Sequence, residues 1–191
     1  MDHRHTSLPA ERIEALKSRI DRSIVLVGMM GVGKSSVGKR LAALLGFGFV
    51  DADVEIETAA QMSISEIFDA HGESYFRDGE RRVIARLLAS ADQPRVIATG
   101  GGAFCNAQTR QLILEQAITV WLDSDLDTLV ERTSRKNDRP LLQQGDPREI
   151  LARLKEERQA AYCQAPLHVH SSSGSHADTI DTLLESLDKW L

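Results

Sequence analysis

Along this chain, short runs of aliphatic and β-branched residues alternate with longer stretches whose apolar residues recur every three or four positions. The runs at 23–27, 49–50, 96–99, 118–122 and 168–170 are too short for helices and read as buried strands. Around them, 33–45, 64–88, 109–115, 126–133, 148–162 and 177–190 carry helical spacing. Alternation of this kind implies right-handed crossovers, and hence an α/β fold: a three-layer sandwich with a central parallel sheet of about five strands. Ser63 with Glu66, Ser124 with Asp127 and Ser175 with Asp178 predict three helix starts of the capping-box type. Ahead of the first strand, Ile13, Leu16 and Ile20 make one apolar stripe. Residues 1–22 therefore form an N-terminal extension, and the pattern admits either a short helix packed on the domain or a mobile tail.

The chain has 191 residues, of which 42% are apolar. A chain of this length buries roughly 70% of its unfolded surface around one core, so residues 23–191 are expected to form a single domain. The longest apolar runs, 24–33 and 41–50, are half the length of the roughly 20-residue stretch that a membrane span needs. The start of the chain is mixed polar and charged, unlike a secretory signal, and a cytoplasmic protein is expected. Cys105 and Cys163 are too few for a disulfide framework and lack metal-ligand spacing. Charge changes the picture locally rather than in total. The net value of −5, with nine aromatic residues, argues against a nucleic-acid surface. Yet residues 51–70 hold six carboxylates and no Lys or Arg, whereas 132–158 hold eight Lys or Arg against five acids. That asymmetry fits either a hydroxyl-binding or metal-friendly region facing an anion-binding one, or two differently solvated sets of helices.

The strongest chemical signal is Gly28-Met29-Met30-Gly31-Val32-Gly33-Lys34-Ser35, a Gly-x4-Gly-Lys-Ser loop between a predicted strand and a predicted helix. It is a Walker A loop of the P-loop NTP hydrolase type. Backbone N–H groups around Gly31, Val32 and Gly33 converge on phosphate oxygens, reinforced by the helix N-terminus. Lys34 is expected to bridge the β- and γ-phosphates of a bound nucleotide, and the Ser35 hydroxyl to ligate Mg²⁺. The loop alone leaves open whether the chain is a switch, a motor-type ATPase or a small-molecule kinase.

On the acceptor side, Asp51 and Asp53 are expected to close the second strand, two apart and therefore on one side of it. One acid near Mg²⁺ and one near an acceptor hydroxyl is what a kinase requires. Alternatively, Asp53 caps a helix beginning at Val54.

With these residues in view, the sequence resembles the shikimate kinase family. The resemblance rests on Phe49-x-Asp51-x-Asp53-x-x-Ile56-Glu57, Phe76-Arg77-x-x-Glu80, Gly100-Gly101-Gly102, Arg139-Pro140-Leu141-Leu142 and Glu157-Arg158-x-x-x-Tyr162, and covers about residues 23–185. It implies transfer of the γ-phosphate of ATP to the 3-hydroxyl of shikimate, with Mg²⁺, in aromatic amino acid biosynthesis. By resemblance, Arg77 and Arg158 bind the shikimate carboxylate, a task suited to the planar guanidinium. Glu80, one turn after Arg77, can hold that guanidinium, although such a pair taken alone is usually a surface ion pair. Gly101 contacts the acceptor hydroxyls through its backbone, and Asp53 orients the reacting hydroxyl and accepts its proton. Asp51 binds Mg²⁺ through water. Arg139 contacts the transferring phosphates, and Arg132 lies against the adenine, with a further adenine contact within 171–175. Lys34, Asp53 and Arg139 are the expected catalytic groups. The acceptor-binding region is expected at about 52–82 and a lid at about 134–146.

Two positions depart from the family pattern: Ser36 stands where threonine is usual, and Arg158-Gln159-Ala160-Ala161-Tyr162 lacks the customary proline. Cys105, beside the glycine triplet, is either a small buried filler or a thiol that reagents reach. A kinase for another polyhydroxy acid such as gluconate, or a nucleotide switch without acceptor chemistry, are the competing readings. The expected partners are ATP and shikimate, with neither nucleic acid nor membrane, and the chain is expected to act as a monomer.

Overall fold

In the computed structural model, which describes residues 6–89, 93–134, 145–171 and 176–191, the chain begins with helix α1 (Ala10–Arg19) and strand β1 (Ile24–Val27). It continues through α2 (Lys34–Leu45), β2 (Gly48–Asp51), α3 (Ala52–Ala60), α4 (Ile64–Ala89), β3 (Arg95–Ala98), a 3₁₀ turn at Ala103–Cys105, α5 (Ala107–Gln116) and β4 (Ile118–Asp123). Helices α6 (Leu126–Ser134) and α7 (Pro147–Tyr162), strand β5 (Leu167–His170) and α8 (His176–Trp190) complete it. The five strands form one parallel sheet in the order β2-β3-β1-β4-β5, as the alternation of strands and helices implies.

Right-handed crossovers fix which helices lie where. The step from β1 out to β2 runs one way along the sheet, and every later step runs the other way, so α2 lies on one face and α3 to α7 on the opposite one. Helices α1 and α8 both pack on α2 and share its face. Strand β1 is buried at all four positions, as a strand covered on both faces must be, whereas the edge strand β5 alternates buried Leu167 and Val169 with exposed His168 and His170. A main core joins the sheet to α1, α2, α5 and α8. A smaller one, Ile56, Ile67 and Phe76, belongs to α3 and α4. No helix among the described residues is long and apolar enough to cross a membrane.

The extension ahead of β1 is helical over α1, and Leu8, Ile13, Leu16 and Ile20 are buried. Thr6 and Ser7 donate to Asp181, and Arg12 and Arg19 both donate to Asp188, which ties this segment to α8.

Local signals fared unevenly. Ser63 and Glu66 make the reciprocal capping box, with Ser63 N–H donating to Glu66 Oε2 at 2.7 Å and Glu66 N–H to Ser63 Oγ at 3.3 Å. Ser124 does not cap in this way: its hydroxyl donates to the Ser171 carbonyl at 2.6 Å, where β5 ends. Ser175 lies outside the described residues. Asn106 and Asp146 are the caps of α5 and α7, and Pro147 occupies the first turn of α7. Helix α4 is broken at Gly72, whose φ of 78° and ψ of 175° are not helical.

Candidate active site

Residues 28–33 link β1 to α2 at the carboxyl edge of the sheet, next to the point where successive strands depart in opposite directions, the place where open α/β sheets bind ligands. Gly28 has φ 137°, and a Cβ there would fall 2.1 Å from the Leu122 carbonyl oxygen, so no side chain can be accommodated. Gly33, at φ 100°, caps α2 and turns the chain so that Lys34 and Ser35 open the helix. Lys34 is buried, and its Nζ donates to the carbonyls of Gly28 at 2.8 Å and Met29 at 2.9 Å, spanning the loop that it closes. Ser36 sits exposed in the same turn.

Asp51 ends β2, and one of its oxygens accepts from the Asp53 N–H at 3.2 Å, so Asp51, not Asp53, is the N-cap of α3. The expectation that both acids lie on extended chain is corrected here. The helix starts at Ala52, immediately after the strand, and Asp53 occupies its first turn. The other Asp51 oxygen accepts from Ser35 Oγ at 2.7 Å. Asp53 reaches the mouth of the sheet from the helix instead. Burial, then the neighbouring Asp51, holds its carboxyl above the usual range, against the opposing influence of Lys34.

After β3 comes the turn Gly100-Gly101-Gly102, and each glycine faces a different functional side chain. A Cβ on Gly100 would lie 2.7 Å from Asp53 Oδ1 and 3.1 Å from Glu80 Oε1. On Gly101 it would lie 3.2 Å from Met30 N in the Walker loop and 3.3 Å from Arg158 Nη1. On Gly102 it would meet Arg77 Nη2 at 2.5 Å. The triplet lets a carboxylate pair, two guanidinium groups and the phosphate loop close around bare backbone.

Arg77 and Glu80, one turn apart on α4, bond through Nη1 to Oε2 at 2.7 Å. The pair is not a surface one, because Glu80 is 1% exposed. Burial pushes the Glu80 carboxyl up, and Arg77 is the largest influence opposing it. Among the described residues, Glu80 Oε1 and Arg158 Nη1 are both buried without a hydrogen-bond partner, an unusual condition for buried polar atoms outside a ligand site. Arg158 projects from α7, and four residues later Tyr162 donates its hydroxyl hydrogen to the Gly101 carbonyl. The pattern at 157–162 marked Tyr162 but gave it no task. Its place one turn after Arg158 was the available signal.

Arg132 reaches from α6 to the Val32 carbonyl at 3.1 Å and to Ser171 Oγ at 3.2 Å, so it bridges the Walker loop to the end of β5. Of the expected adenine-contacting segment 171–175, Ser171 is described and is buried. Arg139, and most of the expected lid with it, lies outside the described residues. Cys105 is half buried, and burial holds its thiol above the ordinary value, which disfavours the reactive thiolate. Among the described residues no group of three His, Cys, Asp or Glu side chains could hold a metal ion by itself.

A protein-family model described as shikimate kinase matches residues 30–188. Among curated proteins, the chain is 56% identical over 193 residues to the shikimate kinase of Novosphingobium aromaticivorans, covering 100% of each. It is 55% identical over 166 residues to that of Caulobacter vibrioides, covering 87% of this chain and 82% of the relative. Among solved structures, it is similar to shikimate kinase from Acinetobacter baumannii in complex with shikimate, at a TM-score of 0.82 and 36% identity, covering 93% of this chain and 96% of that one. A gluconokinase from Sinorhizobium meliloti matches at 0.61 with 20% identity, over 90% of this chain and 94% of that one, and shares the fold.

Proposed function

The chain belongs to the shikimate kinase family, and from that premise we propose which of its residues carry the ATP-dependent phosphorylation of a shikimate hydroxyl. The Walker loop, with the amides of Gly31, Val32 and Gly33 and the ammonium of Lys34, takes the triphosphate. Ser35 Oγ and Asp51 Oδ2, hard oxygen groups 2.7 Å apart beside that loop, suit Mg²⁺, Ser35 as a ligand and Asp51 through water, since the ion binds through few protein ligands and keeps waters and phosphate oxygens as the rest. When bound, Mg²⁺ neutralises charge on the phosphates.

The shikimate carboxylate lies between Arg77 and Arg158, and the observation that carries this is the Nη1 of Arg158, buried beside Gly101 and without a partner among the described residues. A buried guanidinium nitrogen lacking an acceptor is a site built for an incoming anion. Glu80 holds Arg77 in place, and the acceptor hydroxyls, the 3-hydroxyl among them, meet Asp53 and the backbone of the glycine turn. Asp53, held above its ordinary value by burial yet facing Lys34, orients the reacting hydroxyl and takes its proton as the oxygen bonds to the γ-phosphorus and the bond from that phosphorus to the bridging oxygen breaks, releasing ADP. Arg132 steadies the nucleotide side, and Arg139 adds charge at the transferring group. In this reading residues 52–82 form the acceptor region and 134–146 the lid. No second subunit or membrane is needed, and the reaction belongs in the cytoplasm with its ATP.

The test is ADP release from ATP and Mg²⁺ with no acceptor, with shikimate and with gluconate. Stimulation by shikimate and not by gluconate is expected, and absence of stimulation by shikimate overturns the proposal.

A further inference from the structure

Tyr162 is among the largest fully buried side chains of the molecule, 1% exposed, and it ends α7 inside the site. Its ring stacks on Trp121 of β4 with centroids 5.9 Å apart, and Trp121 is stacked in turn by His168 of β5 at 4.0 Å. The phenol is thus braced from the edge of the sheet. Its oxygen donates to the Gly101 carbonyl and stands 4.0 Å from Met29 Sδ in the Walker loop. Arg158 lies one helical turn back on the same face, and Arg158 and Cys105 are the phenol's other polar neighbours.

The Gly101–Gly102 peptide is trans, so the Gly102 N–H points opposite to the Gly101 carbonyl that Tyr162 holds. Among the described residues, neither the Gly101 nor the Gly102 N–H has a hydrogen-bond partner. A donor on the carbonyl polarises the peptide and strengthens its N–H as a donor to something else. We propose that Tyr162 is a positioning residue: its hydroxyl fixes the Gly101–Gly102 peptide so that the turn presents its free N–H groups to the acceptor. Through α7 it holds Arg158 in register with them. This rests on the acceptor reading above, and it assigns Tyr162 to acceptor binding rather than to ATP binding or to the core alone.

The experiment is steady-state kinetics and thermal melting of Tyr162→Phe and Tyr162→Leu, with Arg158→Ala as a control. Tyr162→Phe keeps the stacked ring and deletes the hydroxyl. It is expected to raise the KM for shikimate about threefold to tenfold, with the KM for ATP unchanged and the melting temperature within about 3 °C of the parent. Tyr162→Leu is expected to add a much larger loss of melting temperature, because it empties the ring site. If Tyr162→Phe leaves the KM for shikimate unchanged while Arg158→Ala raises it, the positioning role is overturned and the acceptor reading stands. If both KM values rise together with a loss of melting temperature in Tyr162→Phe, the hydroxyl acts through the fold as a whole and the inference fails. If Arg158→Ala also leaves the KM for shikimate unchanged, the acceptor reading and this inference both fail.

Discussion

Replacing Arg77 with alanine tests how the fold tolerates a carboxylate buried at the centre of its site. Glu80 is 1% exposed, Arg77 donates to one of its oxygens at 2.7 Å, and the other oxygen has no partner among the described residues. Burial already holds the Glu80 carboxyl above its ordinary 4.5. A carboxyl raised in the folded state binds more protons folded than unfolded, so its contribution to stability is best below 4.5 and falls as pH rises towards the raised value. Removing Arg77 takes away the largest influence opposing that rise and extends the window upward.

Protonation sets the ceiling on the damage. A chain that cannot keep Glu80 ionised can protonate it, which for a group of ordinary value 4.5 costs about 3.4 kcal/mol at pH 7 and about 0.7 kcal/mol at pH 5. The parent carries part of this cost already, so the extra loss in Arg77→Ala at pH 7 over that at pH 5 is expected between about 1 and 2.7 kcal/mol. In a domain of this size that amounts to a difference of roughly 3–10 °C in melting temperature. Urea unfolding of the parent, Arg77→Ala and Arg77→Ala/Glu80→Gln at the two pH values measures it. The double variant keeps the shape of Glu80 without its charge, and the pH-dependent part of the loss should vanish in it. The reasoning is refuted if Arg77→Ala loses the same amount at both pH values, or if the double variant retains the difference, because Asp53 also lies near Arg77 and would then be the group titrating.

Three further outcomes follow from single contacts. Gly102 has φ −97° and ψ −12°, which alanine adopts freely, so any loss of melting temperature in Gly102→Ala comes from disturbing the Arg77–Glu80 pair and not from the backbone. Its Cβ would displace Arg77 Nη2 from 2.5 Å and should raise the KM for shikimate about tenfold or more in steady-state assays. Asp53→Asn removes the proposed proton acceptor and should lower kcat by about 10²-fold to 10⁴-fold, with the KM for ATP little changed. Thr119 lies fully buried in β4 with a hydroxyl unpartnered among the described residues, and Thr119→Val should be neutral or stabilising by up to about 1 kcal/mol in urea unfolding, with activity retained.

What was legible in the sequence is what local chemistry determines. The Walker loop could be read because its work is done by consecutive amides and the two residues that follow them, and the parallel sheet because buried strands and amphipathic helices alternate. Asp53 was misplaced because the rule that residues two apart share a side holds only on extended chain, and here the Asp51 cap starts the helix one residue later. The break at Gly72 was hidden because Ile67 and Phe76, on either side of it, enter the same small core, so the apolar spacing runs on through a turn that is not helical. Ser124 fitted a capping pattern, yet its hydroxyl found a carbonyl 47 residues away. Tyr162 could be read as the end of a motif, but its partner at Gly101 lies 61 residues back along the chain and is reached only through the packing of α7 against the turn after β3.

The geometry also divides the work of the two arginines in a way that the sequence did not. Arg158 stands in a segment that lacks the customary proline, whereas Arg77 is accompanied by Glu80 and looks the firmer of the two. In the fold that company has a cost for Arg77 as a ligand. Its Nη1 is committed to Glu80 at 2.7 Å, and its Nε and Nη2 lean on Glu73 at 3.3 Å, so much of its charge is already offset. Arg158 Nη1, among the described residues, is buried beside Gly101 with no acceptor. On the proposed binding mode, a carboxylate would gain its strongest new hydrogen bond from Arg158, since satisfying a buried, unpaired cationic donor returns more than sharing one already paired. In the proposed site Arg77 would then supply direction, with a guanidinium plane held by Glu80 against Gly102, and Arg158 most of the binding.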